Sequence, residues 1–257
     1  MKLVRKLFLS CLIFCAFIGS AAAEILIVAP YITGLVEDDQ TGPYQLILQE
    51  ASMRSGANYK ELTYPEKRAV NMFKSKKAAC MYSYSSIMKK EFGEDKIVTS
   101  FPLGVYKEYM FTKKGKPALT SATQLKGMSV SATLGTEDWH TELNNAGIKI
   151  DYIANDIQSI RMLEQERIQV FLGFIPDLTN YLHRLSYSPE HPLVEDYDQI
   201  TCHASPKTKK FISQISKSLS SMKADGVTKN ILGPLFIDFN EEKFHNSLST
   251  GSEHSQH

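Results

Sequence analysis

The chain has 257 residues, with 29 lysines and arginines against 28 aspartates and glutamates. The two signs nearly balance, and nothing in the chain suggests the clustered basic residues of a nucleic-acid surface. A hydrophobic content of 43% is that of a globular protein rather than a disordered one, and the length suits one large domain or two small lobes.

In chain order, Lys2, Arg5 and Lys6, an apolar run over 7–18 and Ala21-Ala22-Ala23 have the layout of a secretory signal peptide. Residues 1–23 are therefore expected to be cleaved on export; the alternative is a retained anchor helix, for which the run is short. Ile25-Leu26-Ile27-Val28-Ala29 reads as a parallel strand covered on both faces. Gly42-Pro43 opens a helix with proline at its first position. Tyr44, Ile47, Leu48 and Ala51 recur on one face of it, and Gly56 closes it. Residues 59–64 form a strand, Pro65 starts a second helix, and residues 78–84 form a third strand. Strand and helix in alternation predict right-handed crossovers and a parallel sheet.

Residues 105–111 are again strand-like and lead into a polar turn over 113–117, where the chain is expected to cross to a second α/β unit. That unit reads as strand 128–133, helix 136–146, strand 148–153, helix 157–166 capped by Asn155 or Asp156, strand 168–172 and helix 175–185. A return strand lies within 194–204. Phe211, Ile212, Ile215 and Leu219 mark a last amphipathic helix, and residues 241–257 read as a loose tail. Cys80 and Cys202 fall in expected strands. In an oxidising compartment they either join in a disulfide or remain two buried thiols.

No G-x-S-x-G, Walker, H-E-x-x-H or C-x-x-C motif is present, so neither an enzyme nor a bound metal or cofactor is expected. Ligands of open parallel sheets lie beyond the carboxyl ends of the strands. The readable ends are Pro30-Tyr31, Ser83-Tyr84-Ser85-Ser86, Leu134-Gly135-Thr136 and Gly173-Phe174. Tyr31, Tyr84 and Phe174 offer rings to stack on a ligand or to pack in the core, and Ser85 stands beside Tyr84. Gly135-Thr136 lies where a helix begins, and the free N–H groups there favour an anion; the alternative is plain capping by Thr136. Arg68, one turn into its helix, is placed to hold a ligand carboxylate or to lie solvated at the surface.

These segments resemble the family 3 extracellular solute-binding proteins from Glu24 to about Phe239. Thr41-Gly42-Pro43-Tyr44 through Gly56 is similar to the family's first helix, and Tyr64-Pro65-Glu66-Lys67-Arg68-Ala69 to a "P-x-K-R-A" helix start. Ser100-Phe101-Pro102-Leu103 is similar to "F-S-x-P". Leu125-Lys126-Gly127 with Val130 and Gly135-Thr136 is similar to "L-K-G-x-x-V…G-T", and residues 166–173 to "G-R-x-D-A-x-L-G-D". The resemblance implies a two-lobed type II periplasmic-binding fold, each lobe a mostly parallel sheet flanked by helices, on a two-stranded hinge. Lobe one would comprise 24–110 and 203–240, and lobe two 111–202. It implies a monomeric periplasmic protein that captures a small polar or carboxylated, amino-acid-like solute for the membrane permease of an ABC transporter. The alternatives are a dehydratase of cyclohexadienyl type with Glu137 as its acid or base, and a degenerate binder that docks on a membrane sensor. The family's carboxylate-clamping arginine has no counterpart over 85–91, and the aspartate after the last strand of lobe two is replaced around Phe174.

Overall fold

The computed structural model describes residues 24–242 and Phe244, apart from the side chains of Ser83 and Tyr84. The expected signal segment and most of the expected tail lie outside the described residues. The strands are β1 (Ile25–Pro30), β2 (Tyr59–Tyr64), β3 (Cys80–Tyr84), β4 (Ile97–Thr99), β5 (Gly104–Lys113), β6 (Val130–Thr133), β7 (Ile150–Ile153), β8 (Val170–Ile175), β9 (Leu185–Ser186) and β10 (Val194–His203). The α-helices are α1 (Pro43–Ser55), α2 (Glu66–Lys74), α3 (Ser85–Phe92), α4 (Thr141–Asn145), α5 (Asp156–Glu164), α6 (Pro206–Ala224) and α7 (Val227–Leu232).

The strands join in the order β2-β1-β3-β10-β5-β8-β6-β7. This path is one continuous sheet with a parallel portion in each lobe. In lobe one β1 runs parallel to β2 and β3. In lobe two β6 runs parallel to β7 and β8. Among the described residues the two portions join through the antiparallel ladder between β5 and β10, which runs from Val194↔Glu108 to Asp198↔Gly104. Beyond Asp198, β10 pairs with β3 and β4 of lobe one, and beyond Lys107, β5 pairs with β8 of lobe two. Ile200 and Cys202 pack in the lobe-one core. A ladder of two strands is a hinge that bends without breaking either portion.

Each portion is covered on both faces, which explains the unbroken apolar run of β1. Ile27 points to α1 and α6 among Tyr44, Ile47, Tyr82 and Ile215, while Val28 points to α2 and α3 among Phe73, Met81 and Met88. Both are fully buried, each contributing about 1.5–3 kcal/mol. Lobe two repeats the scheme: Phe111 and Phe171 face Ile160 and Leu163 of α5, whereas Met110, Val130 and Leu172 face the other side. The first helix follows its sequence signals, with Pro43 at its start and Gly56 left-handed at φ 67° past its end.

Two expected helices change. The stretch expected over 175–185 begins as the end of β8, because Ile175 pairs with Lys107, and continues as a 3-10 helix over Thr179–Arg184. Leu178, Tyr181, Leu182 and Leu185 still share the α5-side core, so the apolar spacing is real and only the helix type differs. The stretch expected over 136–146 is a 3-10 turn over Glu137–His140 followed by the short α4. Cys80 and Cys202 are register partners on β3 and β10 and form a disulfide.

Candidate functional site

The lobes touch where strand ends from both sides converge. Asp156 is the first residue of α5, which Asn155 caps by accepting the Gln158 N–H. Its Oδ1 accepts the Thr133 hydroxyl at 2.5 Å within lobe two, and its Oδ2 accepts the Thr33 hydroxyl at 2.9 Å from lobe one. Asp198 stands in β10, where the Tyr44 hydroxyl donates to it at 2.6 Å. Glu66 opens α2. Asp177 follows β8 past Pro176. Asp177 and Asp198 are buried, at 8% and 5% exposure, and Glu66 and Asp156 are half-buried.

These four carboxyl groups share one electrostatic neighbourhood. Burial pushes Glu66 up to about 8, with added repulsion from Asp156, Asp198 and Glu137. Burial lifts Asp198 to about 7 against the pull of the Tyr44 hydrogen bond. Asp177 is held well above the usual carboxylate range by burial and then by Asp198 and Asp156. Burial also raises Asp156, while its two threonine partners pull it down. Desolvation disfavours the charged form of a carboxyl, and like charges nearby add to the effect.

The Gly135-Thr136 turn is not a free anion site. The Gly135 N–H donates to Glu137 Oε2 at 2.8 Å, and the Thr136 N–H and hydroxyl both donate to the Thr133 carbonyl. The chain's own carboxylate occupies the place expected for a ligand's. Gly135, at φ 112°, also seats lobe two against lobe one: a Cβ there would lie 2.8 Å from the Lys67 backbone nitrogen and from Glu66 Cγ. Ion pairs flank this contact, Lys67 to Glu137 at 3.6 Å and Lys74 to Asp138 at 2.6 Å.

The other expected site residues scatter. Arg68 is exposed, with its guanidinium 4.2 Å over the Tyr64 ring, and lines an open hollow of about 990 Å³ with Lys67, Asn71 and Lys77. It does not reach the carboxylates. Tyr31 is 41% exposed, and its N–H is held by the Tyr64 carbonyl at 2.9 Å. Tyr84 ends β3 opposite Asp198. Ser85 is buried and bonded to Gln199. Phe174 packs edge-on against Tyr106 and Trp139, in a cluster that also takes Ile87 of α3 and so spans both lobes.

Reading the sequence missed the acidic cluster itself. Glu66 lay inside the helix-start motif and Asp156 was a capping candidate. Asp177 was absorbed into a helix that does not form, and Asp198 into the return strand. The family's aspartate after the last strand of lobe two, expected to be replaced around Phe174, has a buried carboxylate nearby in Asp177. No local signal marks it, because Pro176 would fall in the first turn of the expected helix, where proline is tolerated.

No protein-family model matches the chain, and no curated protein matches it in sequence. Solved structures do. A mutant of ArgBP from T. maritima superposes with a TM-score of 0.66 at 14% identity, covering 82% of this chain and 94% of that one. The GluR0 ligand-binding core from Nostoc punctiforme in complex with L-glutamate gives 0.66 at 16%, covering 82% and 99%. A histidine kinase sensor domain with similarity to periplasmic binding proteins gives 0.67 at 13%, covering 83% and 96%. The chain has the type II periplasmic-binding fold.

Proposed function

We propose that the protein is an exported periplasmic solute-binding protein. It captures a small polar solute of amino-acid size between its lobes and delivers it, as a monomer, to the membrane permease of an ABC-type transporter. The observation that carries this reading is the meeting of Glu66 and Asp198 from lobe one with Asp156 and Asp177 from lobe two around a two-stranded hinge. A solute that touches both sets favours the closed form by its contacts to each lobe. All the strong groups of the cluster are acceptors or hydroxyls, so of the ligand types expected, the site favours one that presents hydrogen-bond donors over one that presents only a carboxylate. Binding occurs without turnover. Among the described residues no helix is long and apolar enough to cross a membrane.

The test is small-angle scattering of the exported protein with and without mixtures of amino acids, amines and small carboxylates, beside native mass spectrometry for a co-purified solute. A radius that shrinks with one mixture and a matching bound mass support the reading. An invariant radius with no bound mass overturns it. Retention of the loaded form by membranes that contain the permease, but not by membranes that lack it, checks the transport partner.

A further inference from the structure

A binder's ligand is defined by what its closed cleft leaves unsatisfied. Among the described residues, the side-chain hydrogen bonds that reach the four cleft carboxylates come from the hydroxyls of Thr33, Thr133 and Tyr44. Among the described residues, no lysine, arginine or histidine is hydrogen bonded or ion-paired to Glu66, Asp156, Asp177 or Asp198. The nearest lysine, Lys67, pairs with Glu137 instead. One acceptor remains open: Glu66 Oε1 is buried and accepts no hydrogen bond. Asp177 is 8% exposed, lies in the field of Asp198, Asp156 and Glu66, and is held only by a backbone N–H, with no hydrogen bond from another side chain among the described residues. A buried acceptor without a donor is costly, and a buried charge without a counter-charge more so. A cation placed among these groups removes both penalties, and removes the mutual repulsion of the carboxylates as well.

The form of that cation follows from the same groups. It is not a metal ion: among the described residues no three histidine, cysteine, aspartate or glutamate side chains are placed to hold one. A ligand carboxylate is unwelcome. The Gly135 N–H is already given to Glu137, and Arg68 is committed to the Tyr64 face outside the cluster. The acceptors are divided between the lobes, Glu66 and Asp198 on one side and Asp156 and Asp177 on the other.

We infer that the cleft is built for a small organic dication without a carboxylate, such as an α,ω-diamine or an amino-guanidine, with one positive group held from each lobe. This inference rests on the solute-binding reading above and narrows it to a ligand class.

The decisive comparison uses a matched pair. Agmatine is arginine without its carboxylate, so titration calorimetry of the unaltered exported protein with agmatine, arginine, 1,4-diaminobutane and glutamate isolates that group. At least one of the two dications is expected to bind. Agmatine is expected to bind at least tenfold tighter than arginine, and glutamate is expected not to bind. Glu66→Gln and Asp177→Asn, checked for native circular dichroism, are each expected to weaken dication binding at least tenfold. Arginine binding as tightly as agmatine, or failure of both dications to bind, overturns the inference but leaves solute capture standing if any other solute shrinks the scattering radius. Only an invariant radius with every solute brings down the parent reading too.

Discussion

At the scale of single residues, Glu66 and Gly135 have roles that can be measured separately. Glu66 keeps its proton to about pH 8 in the folded chain, whereas an unfolded glutamate loses it near about 4.3. Between those limits the folded state binds more protons, so stability falls as pH rises. Asp156, Asp198 and Glu137 face Glu66 and add to the slope, while Lys67 is engaged by Glu137. We expect the melting temperature of the ligand-free protein to fall steadily between about pH 5 and pH 8. Glu66→Gln should flatten that fall in thermal unfolding across buffers; an equal slope in the variant would show that other groups set it. Gly135 combines a left-handed backbone with a contact that has no room for a Cβ. Gly135→Ala should cost about 1–3 kcal/mol in chemical denaturation and enlarge the scattering radius of the ligand-free protein, because the lobes can no longer approach as closely.

Among the elements, the pairing of β3 with β10 is fastened by the Cys80–Cys202 disulfide, whose cysteines lie 122 residues apart in sequence. Closing a loop of that size in the unfolded chain stabilises the fold by roughly 4–5 kcal/mol. Cys80→Ala with Cys202→Ala should lower the urea midpoint accordingly, and reductant should have no effect on that double variant. The α/β alternation was legible because β1, α1, β2 and α6 carry their own periodicity and caps: Ile27 and Val28 had to face different layers, and Pro43 and Gly56 punctuate α1. Lobe two was less legible. The 3-10 helix at Thr179–Arg184 presents Leu178, Tyr181, Leu182 and Leu185 to the core at a spacing that also fits an α-helix. Pairing of Ile175 with Lys107, a contact distant in sequence, decides the matter. Asp177 stayed hidden behind that choice, whereas Phe174 and Ser85 showed themselves as aromatic and polar strand ends but went into packing and a buried hydrogen bond.

For the molecule as a whole, the closed arrangement combines unlike contacts. The apolar bridge of Ile87, Tyr106, Trp139 and Phe174 is indifferent to salt. The pairs Lys67–Glu137 and Lys74–Asp138 are not: their carboxylates are 38% and 62% exposed, and exposed pairs contribute about 0–1 kcal/mol each. Lys74→Ala should therefore change the unfolding midpoint little. It should shift the ligand-free protein toward a larger radius, an effect that added salt reproduces in the parent protein and extends less in the variant, where Lys67–Glu137 still stands.

The placement of the covalent tie has a mechanical result. Cys202 and Asp198 lie on the same strand, with the tie on the lobe-one side of the Val194–Asp198 ladder. β10 is thus clamped behind the fulcrum, and flexure is confined to the rungs in front of it. Asp198 stands at the last of those rungs and is tied to Tyr44 of lobe one, so in the proposed capture the acid on the pivot would be the fixed jaw and Asp156 and Asp177 the travelling one.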